Sequence, residues 1–156
     1  MIHKLTHVKS SNGSNYLGIK YNESLVEDYL MKLMEHIDDD QYFEVLTSNQ
    51  QRRDHNSFHT TVLNVMEYNK SIKKLGMDLF MKKLNGAFSI DVEDIELVGV
   101  GTAEGKGNKT FFIVVKSDML NEVRRSFGFD EKDLHITIGF DKKDVFGVPK
   151  DETSLI

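Results

Sequence analysis

From Leu134 to Phe140 the chain reads Leu-His-Ile-Thr-Ile-Gly-Phe, apolar at every second position. Strand side chains alternate between faces with period two. The run therefore predicts a half-buried strand with Leu134, Ile136, Ile138 and Phe140 toward a core. His135, Thr137 and Gly139 then lie on the opposite face, with an imidazole beside a hydroxyl. The same wording recurs at Phe58-His59-Thr60-Thr61-Val62-Leu63, where His59 and Thr61 keep the spacing. Two His-x-Thr strands in one small chain are its strongest constraint. A lone strand histidine is usually a structural or surface residue. A repeated one, each time with Thr on its own face, supplies two imidazoles and two hydroxyls to any groove the strands share.

The rest of the composition narrows the setting. A chain of 156 residues that is 39% apolar and 29% charged predicts one domain, 1–156, of an ordinary soluble kind. No apolar run reaches about 18 residues, so neither a membrane-spanning helix nor a membrane partner is expected. The N-terminal stretch lacks a signal-peptide apolar region, which predicts a cytoplasmic protein. With no cysteine, disulfides, thiol catalysis and thiolate metal sites are excluded. A formal net charge of −5 argues against holding long duplexes, whose phosphates call for a basic stripe. A small nucleotide or a short nucleic-acid end suits it better.

Along the chain, residues 1–14 read as a turn-rich lead-in. Tyr16 to Tyr21 reads as a first strand. Asn22 caps a helix whose apolar positions run from Leu25 to Ile37 in steps of three and four, and which leaves through Asp38, Asp39 and Asp40. Tyr42 to Leu46 reads as a short strand and Thr47 to Ser57 as a polar loop. The first motif strand covers Phe58 to Val65. A helix follows over Asn69 to Leu84, with Gly76 a possible break. Strands at Asp94 to Thr102 and Thr110 to Lys116 flank a hairpin turn rich in glycine. A helix from Asp118 to Phe127 ends at Gly128. Residues 141–156 read as loop and tail. This order lacks strict strand–helix alternation, so the fold class is α+β, a mainly antiparallel sheet with outer helices.

Chemistry follows from the two motifs. Imidazoles titrate near neutrality, so His59 and His135 can divide one acid–base cycle with no metal and no cofactor. Thr61 and Thr137 can donate to phosphate oxygens. His55 and His59 would chelate a metal only on a helix, and a strand separates them by about 13 Å. The glycine-rich Gly99–Lys109 run misses the phosphate-loop spacing. Tyr16, following the polar lead-in, is the preferred base stacker, with Tyr21, Tyr42 and Phe146 as others. Arg53, with Arg52, Lys142 and Lys143, flanks the motif strands and suits phosphate charge.

The tandem Phe58-His59-Thr60-Thr61-Val62 and Leu134-His135-Ile136-Thr137-Ile138 resembles the signature of the 2H phosphoesterase superfamily. The stretch from His135 to Val148 is most similar to its Swiss Army Knife, RNA-repair-like branch, and to phage anti-CBASS enzymes that degrade cyclic oligonucleotide signals. Thr60 departs from the pattern, standing where an apolar residue is usual, which reads as a less buried face. The resemblance implies a two-lobed sheet with pseudo-twofold symmetry and a cleft between the motifs. It implies metal-independent phosphodiester chemistry on a cyclic oligonucleotide or an RNA end. His59 and His135 would be the acid–base pair and Thr61 and Thr137 the phosphate holders. A nucleotide-binding module without turnover is the rival of another class.

Overall fold

The computed structural model describes all 156 residues. Its elements run β1 (Thr6–Lys9), β2 (Asn15–Tyr21), α1 (Glu23–Ile37), α2 (Asp40–Arg53), β3 (Phe58–Leu63), α3 (Val65–Leu75), α4 (Met77–Phe88), β4 (Glu96–Gly105), β5 (Asn108–Lys116), α5 (Asp118–Ser126) and β6 (Leu134–Phe140). The fold is α+β. One antiparallel sheet has the order β1-β2-β3-β6-β5-β4. The motif strands β3 and β6 are its centre. Each is flanked by a hairpin, β1–β2 on one side and β4–β5 on the other, so the two halves mirror one another in order. All five helices put residues into a single core cluster with the sheet, among them Leu33, Leu46, Tyr68, Leu84 and Leu120. They therefore share one face, and the other carries the His-x-Thr side chains.

Several local expectations are corrected. Tyr42–Leu46 is not a strand, nor is Thr47–Arg53 loop: both belong to α2. The carboxylate of Asp39 accepts the Gln41 and Tyr42 amides, and left-handed Asp38 closes α1 just before it. The three-Asp run is thus a helix–helix junction, in which an N-cap satisfies donors that a helix start leaves free. The lead-in contains β1. The helix expected over 69–84 is two, divided at Gly76, whose φ of 82° breaks the first. The first of them starts earlier, at a capping box between Asn64 and Glu67. The expected hairpin turns on Lys106 and Gly107, both at positive φ, the geometry that matches strand twist.

Thr60 does not mark an exposed face. It is fully buried and its Oγ1 bonds the Tyr21 hydroxyl at 2.9 Å, so the polar group on the core side is satisfied. Two glycines let neighbours approach closely. A Cβ at Gly18 would clash with the Thr60 carbonyl oxygen, and one at Gly139 would lie 3.0 Å from Leu46 Cβ where α2 crosses β6.

Candidate active site

The central ladder fixes the motif geometry. Thr60 pairs with Ile136 across β3 and β6. In an antiparallel pair the neighbouring residues step in opposite directions, so His59 lies opposite Thr137 and Thr61 opposite His135. The imidazoles occupy one diagonal and the hydroxyls the other. Diagonal neighbours are about 7–8 Å apart, room for one phosphate group between two rings.

Both motif strands then bulge at the same step. Leu17 pairs with Leu63 and Gly18 with Thr61, which leaves Val62 as an extra residue. Phe111 pairs with Gly139 and Phe112 with Thr137, which leaves Ile138 as an extra residue. A bulge re-aims side chains and shifts the alternation. That corrects the simple reading of β6. Gly139 meets Leu46 of the core, whereas Phe140 takes the Arg53 guanidinium over its ring at 4.9 Å. The bulge frees the Val62 carbonyl, and buried Arg124 donates to it at 2.7 Å. Arg124 is held by Glu67 Oε1 and Oε2 at 2.9 and 2.8 Å and by the Asp130 carbonyl at 2.7 Å.

A cleft of about 310 Å³ opens on this face. Its lining includes His59, Thr61, His135 and Thr137, and also Tyr16, Arg53 and Phe146. All seven expected residues thus come together, although their contacts differ from expectation in places. Tyr16 is only 8% exposed, packs edge-on against the His59 ring, and bonds His59 Nε2 through its hydroxyl at 2.9 Å. It has no open face for a base, so the stacking reading of Tyr16 is corrected. Burial and then the charge of Asp54 push its hydroxyl up to about 12, so it stays protonated at neutral pH. Tyr21 is core, and Tyr42 bonds Asp141 at 2.6 Å. Phe146 is 78% exposed, and the Lys150 ammonium lies 5.4 Å from its ring centre. Arg53 is not a free cation. It bonds Asp54 Oδ1 and Oδ2 at 2.8 and 2.9 Å and Asp144 Oδ2 at 2.6 Å. His55 is exposed and outside the cleft.

Sequence reading missed Asp54, Asn64, Lys132 and Asp144 as cleft residues, along with Ser10, Ser11 and Val65. Asp144 joins the site's charges. It accepts from Arg53, from Lys150 Nζ at 3.2 Å, from its neighbour's amide (Val145 N) at 2.7 Å and weakly from Thr137 Oγ1 at 3.4 Å. Burial opposes its charge, but Lys150 and Arg53 outweigh this and hold the carboxyl down at about 2. Lys150 comes from the segment expected to be a free tail. That segment is fastened instead: Lys150 N donates to Asp133 at 3.0 Å and Ile156 N to the Val100 carbonyl at 3.1 Å.

The two histidines differ. Burial first, then the Lys150 cation, pushes His135 down to about 3, against the opposing effects of the Asp133 carbonyl and Asp144. Its Nδ1 donates to that carbonyl at 3.3 Å, a tautomer that leaves the Nε2 lone pair free. His59 is also lowered by burial, with Arg53 and Lys20 adding to the shift and the Asp54 charge opposing it. Its Nδ1 is buried without a partner. Burial thus favours the neutral form of both rings.

A family model described as "Swiss Army Knife, 2H phosphoesterase domain" matches residues 23–146. The matched span contains both motif strands and ends at Phe146. No curated protein and no solved structure matches the chain.

Proposed function

Because the chain belongs to the Swiss Army Knife 2H phosphoesterase family, we propose that it is a metal-independent phosphodiesterase that opens a cyclic oligonucleotide, such as a cyclic di- or trinucleotide signal. His135 is the base and His59 the acid. The observation that carries this reading is the Thr60–Ile136 pairing, which sets the two imidazoles diagonally across a single cleft. A neutral His135, its Nδ1 committed to a carbonyl, takes the proton of the attacking water or hydroxyl. The new P–O bond forms as the opposite P–O bond breaks, and His59 gives its proton to the leaving oxygen. The hydroxyls of Thr61 and Thr137 donate to the equatorial phosphate oxygens as charge builds on them. A bound phosphodiester anion favours the imidazolium, so His59 gains its proton as substrate enters. Since Nδ1 is buried, the proton given is the one on Nε2, which leaves the Tyr16 hydroxyl to face the leaving oxygen.

The test is a product assay with EDTA throughout. Cyclic di- and trinucleotides, 3′–5′ and 2′–5′ linked, are set beside linear RNA ends carrying 2′,3′-cyclic phosphates. Wild type should cleave the cyclic oligonucleotides, while His59→Ala and His135→Ala should each lose roughly 10²–10⁴-fold. Cleavage confined to linear ends would move the substrate to RNA repair or processing. Binding without product would make the chain a sequestering module, and activity retained in either histidine variant would refute the mechanism.

A further inference from the structure

Beside the cleft lies a larger depression of about 860 Å³. The two share Ser11, Arg53, Asp144 and Phe146 in their linings, so they are continuous. The depression carries the cations Arg52, Arg53, Lys106, Lys142 and Lys143 against a single carboxylate, Asp144. The chain as a whole has 20 basic and 25 acidic residues, so composition does not explain this bias. Nor is it neutralised locally. Asp144 is committed to Arg53 and Lys150, and Arg52, Lys106, Lys142 and Lys143 enter no ion pair. Four unpaired cations around one concavity repel each other and raise the local potential, which an anion relieves. The apolar part of the lining includes two aromatic rings, Phe140 and Phe146. Phe146 stands at the shared rim, 78% exposed.

We propose that this depression is a second nucleotide subsite, holding the phosphate of the neighbouring nucleotide against Arg52, Lys106, Lys142 and Lys143 while a base stacks on Phe146. The substrate class is then an oligonucleotide with at least two phosphates, one in the His59–His135 cleft and one outside it. This deepens the function proposed above and rests on it for which phosphate is cut. Cations track a strand's backbone and an aromatic face accepts any base, a combination that tolerates sequence but demands length.

The experiment separates binding from turnover. Calorimetric titration of the His59→Ala/His135→Ala protein compares a 5′-phosphorylated dinucleotide, with two phosphates, and a nucleoside 5′-monophosphate, with one. The dinucleotide should bind at least roughly tenfold tighter, and Arg52→Ala/Lys142→Ala/Lys143→Ala in that background should remove the advantage while the mononucleotide changes little. The slope of log affinity against log salt for the dinucleotide should fall by about 0.7 for each phosphate that no longer meets a cation. Phe146→Ala, a single exposed side chain that places no demand on the core, should weaken the dinucleotide selectively. Equal affinities for the two ligands, or equal losses in the triple variant, would overturn the subsite. Turnover by the protein with its histidines intact is scored apart. Cleavage of cyclic mononucleotides as fast as cyclic dinucleotides, unchanged in the triple variant, would overturn the subsite and leave the phosphodiesterase standing. A length-dependent binder that cleaves nothing would do the reverse.

Discussion

Arg124 gives the sharpest test of how the fold supports the site. Its guanidinium, 4% exposed, donates to Val62 O, Asp130 O and both oxygens of Glu67. Arg124→Met keeps most of the volume and removes all of these hydrogen bonds. Removing one member of a buried pair typically costs about 3–5 kcal/mol. Glu67 keeps two other partners, the Asn64 amide at 3.1 Å and Lys132 at 3.6 Å, which places the expected loss near the low end, about 3 kcal/mol. A second variant divides that figure. In Arg124→Met/Glu67→Met no carboxylate is stranded, but the Val62 carbonyl still lacks its donor, worth about 1–3 kcal/mol. The double variant should therefore be more stable than Arg124→Met and less stable than wild type. Urea unfolding followed by circular dichroism measures wild type, Arg124→Met, Glu67→Met and the double variant. Val62 directly follows Thr61, so kcat should also fall in the double variant, more than KM rises. An Arg124→Met protein within about 1 kcal/mol of wild type, or a double variant as unstable as the summed single variants, would refute this account of the bulge.

Asp144→Asn should cost about 2–3 kcal/mol at neutral pH, from a carboxyl held at about 2 rather than its ordinary 3.8. Because the folded value is depressed, this stability is present above 3.8 and lost as the pH falls from there through about 2. Unfolding curves of variant and wild type should converge over that window, and a gap that persists to the lowest pH would sink the assignment. The activity profile tests the histidines. Both imidazoles are lowered, so the protonated acid in the free enzyme is scarce above 6.5, and kcat/KM should decline between about pH 6 and about pH 8. A flat or rising profile over that range would contradict the reading. Tyr16→Phe leaves His59 Nε2 without its hydroxyl partner, and should move the limb due to His59 while leaving the His135 limb in place.

What could be read in the sequence was whatever repeats locally. The motif strands, the β4–β5 hairpin, α1 and the break at Gly76 all announce themselves by alternation, helical spacing or turn chemistry. α2 does not. Only Leu46 and Gln50 of its residues are buried, so its apolar stripe is too thin to see, and the β-forming Tyr42, Phe43 and Val45 point the wrong way. The bulges are invisible for a different reason. Thr137, Ile138 and Gly139 continue an alternating pattern in the sequence, and only the count of residues on β5 shows that one is extra. Among the site residues, the His-x-Thr pairs were legible as a repeated spacing. Asp54 comes from the end of α2, Lys132 and Asp144 from loops, and Lys150 from an apparently featureless tail. Nothing in their own neighbourhoods marks them. Tyr16 follows the polar lead-in and lines the cleft, but its role depends on a hydroxyl reaching a strand two helices further along.

The position of β6 has a consequence for how the protein comes into being. It is the sixth strand along the chain and yet lies at the middle of the sheet, between β3 and β5. Until it docks, β3 and β5 each show an open edge, two half-sheets that can pair with the wrong partner. Docking closes a long loop, the kind of non-local step that slows folding. It is also the step that brings His135 beside Thr61. An immature chain can therefore hold hairpins and helices but not a matched histidine pair, and catalytic competence should arrive together with protection of the central strands from hydrogen exchange. Any substitution that delays this strand lengthens the time both edges stay sticky, so its first symptom would be aggregation during synthesis rather than a slower finished enzyme.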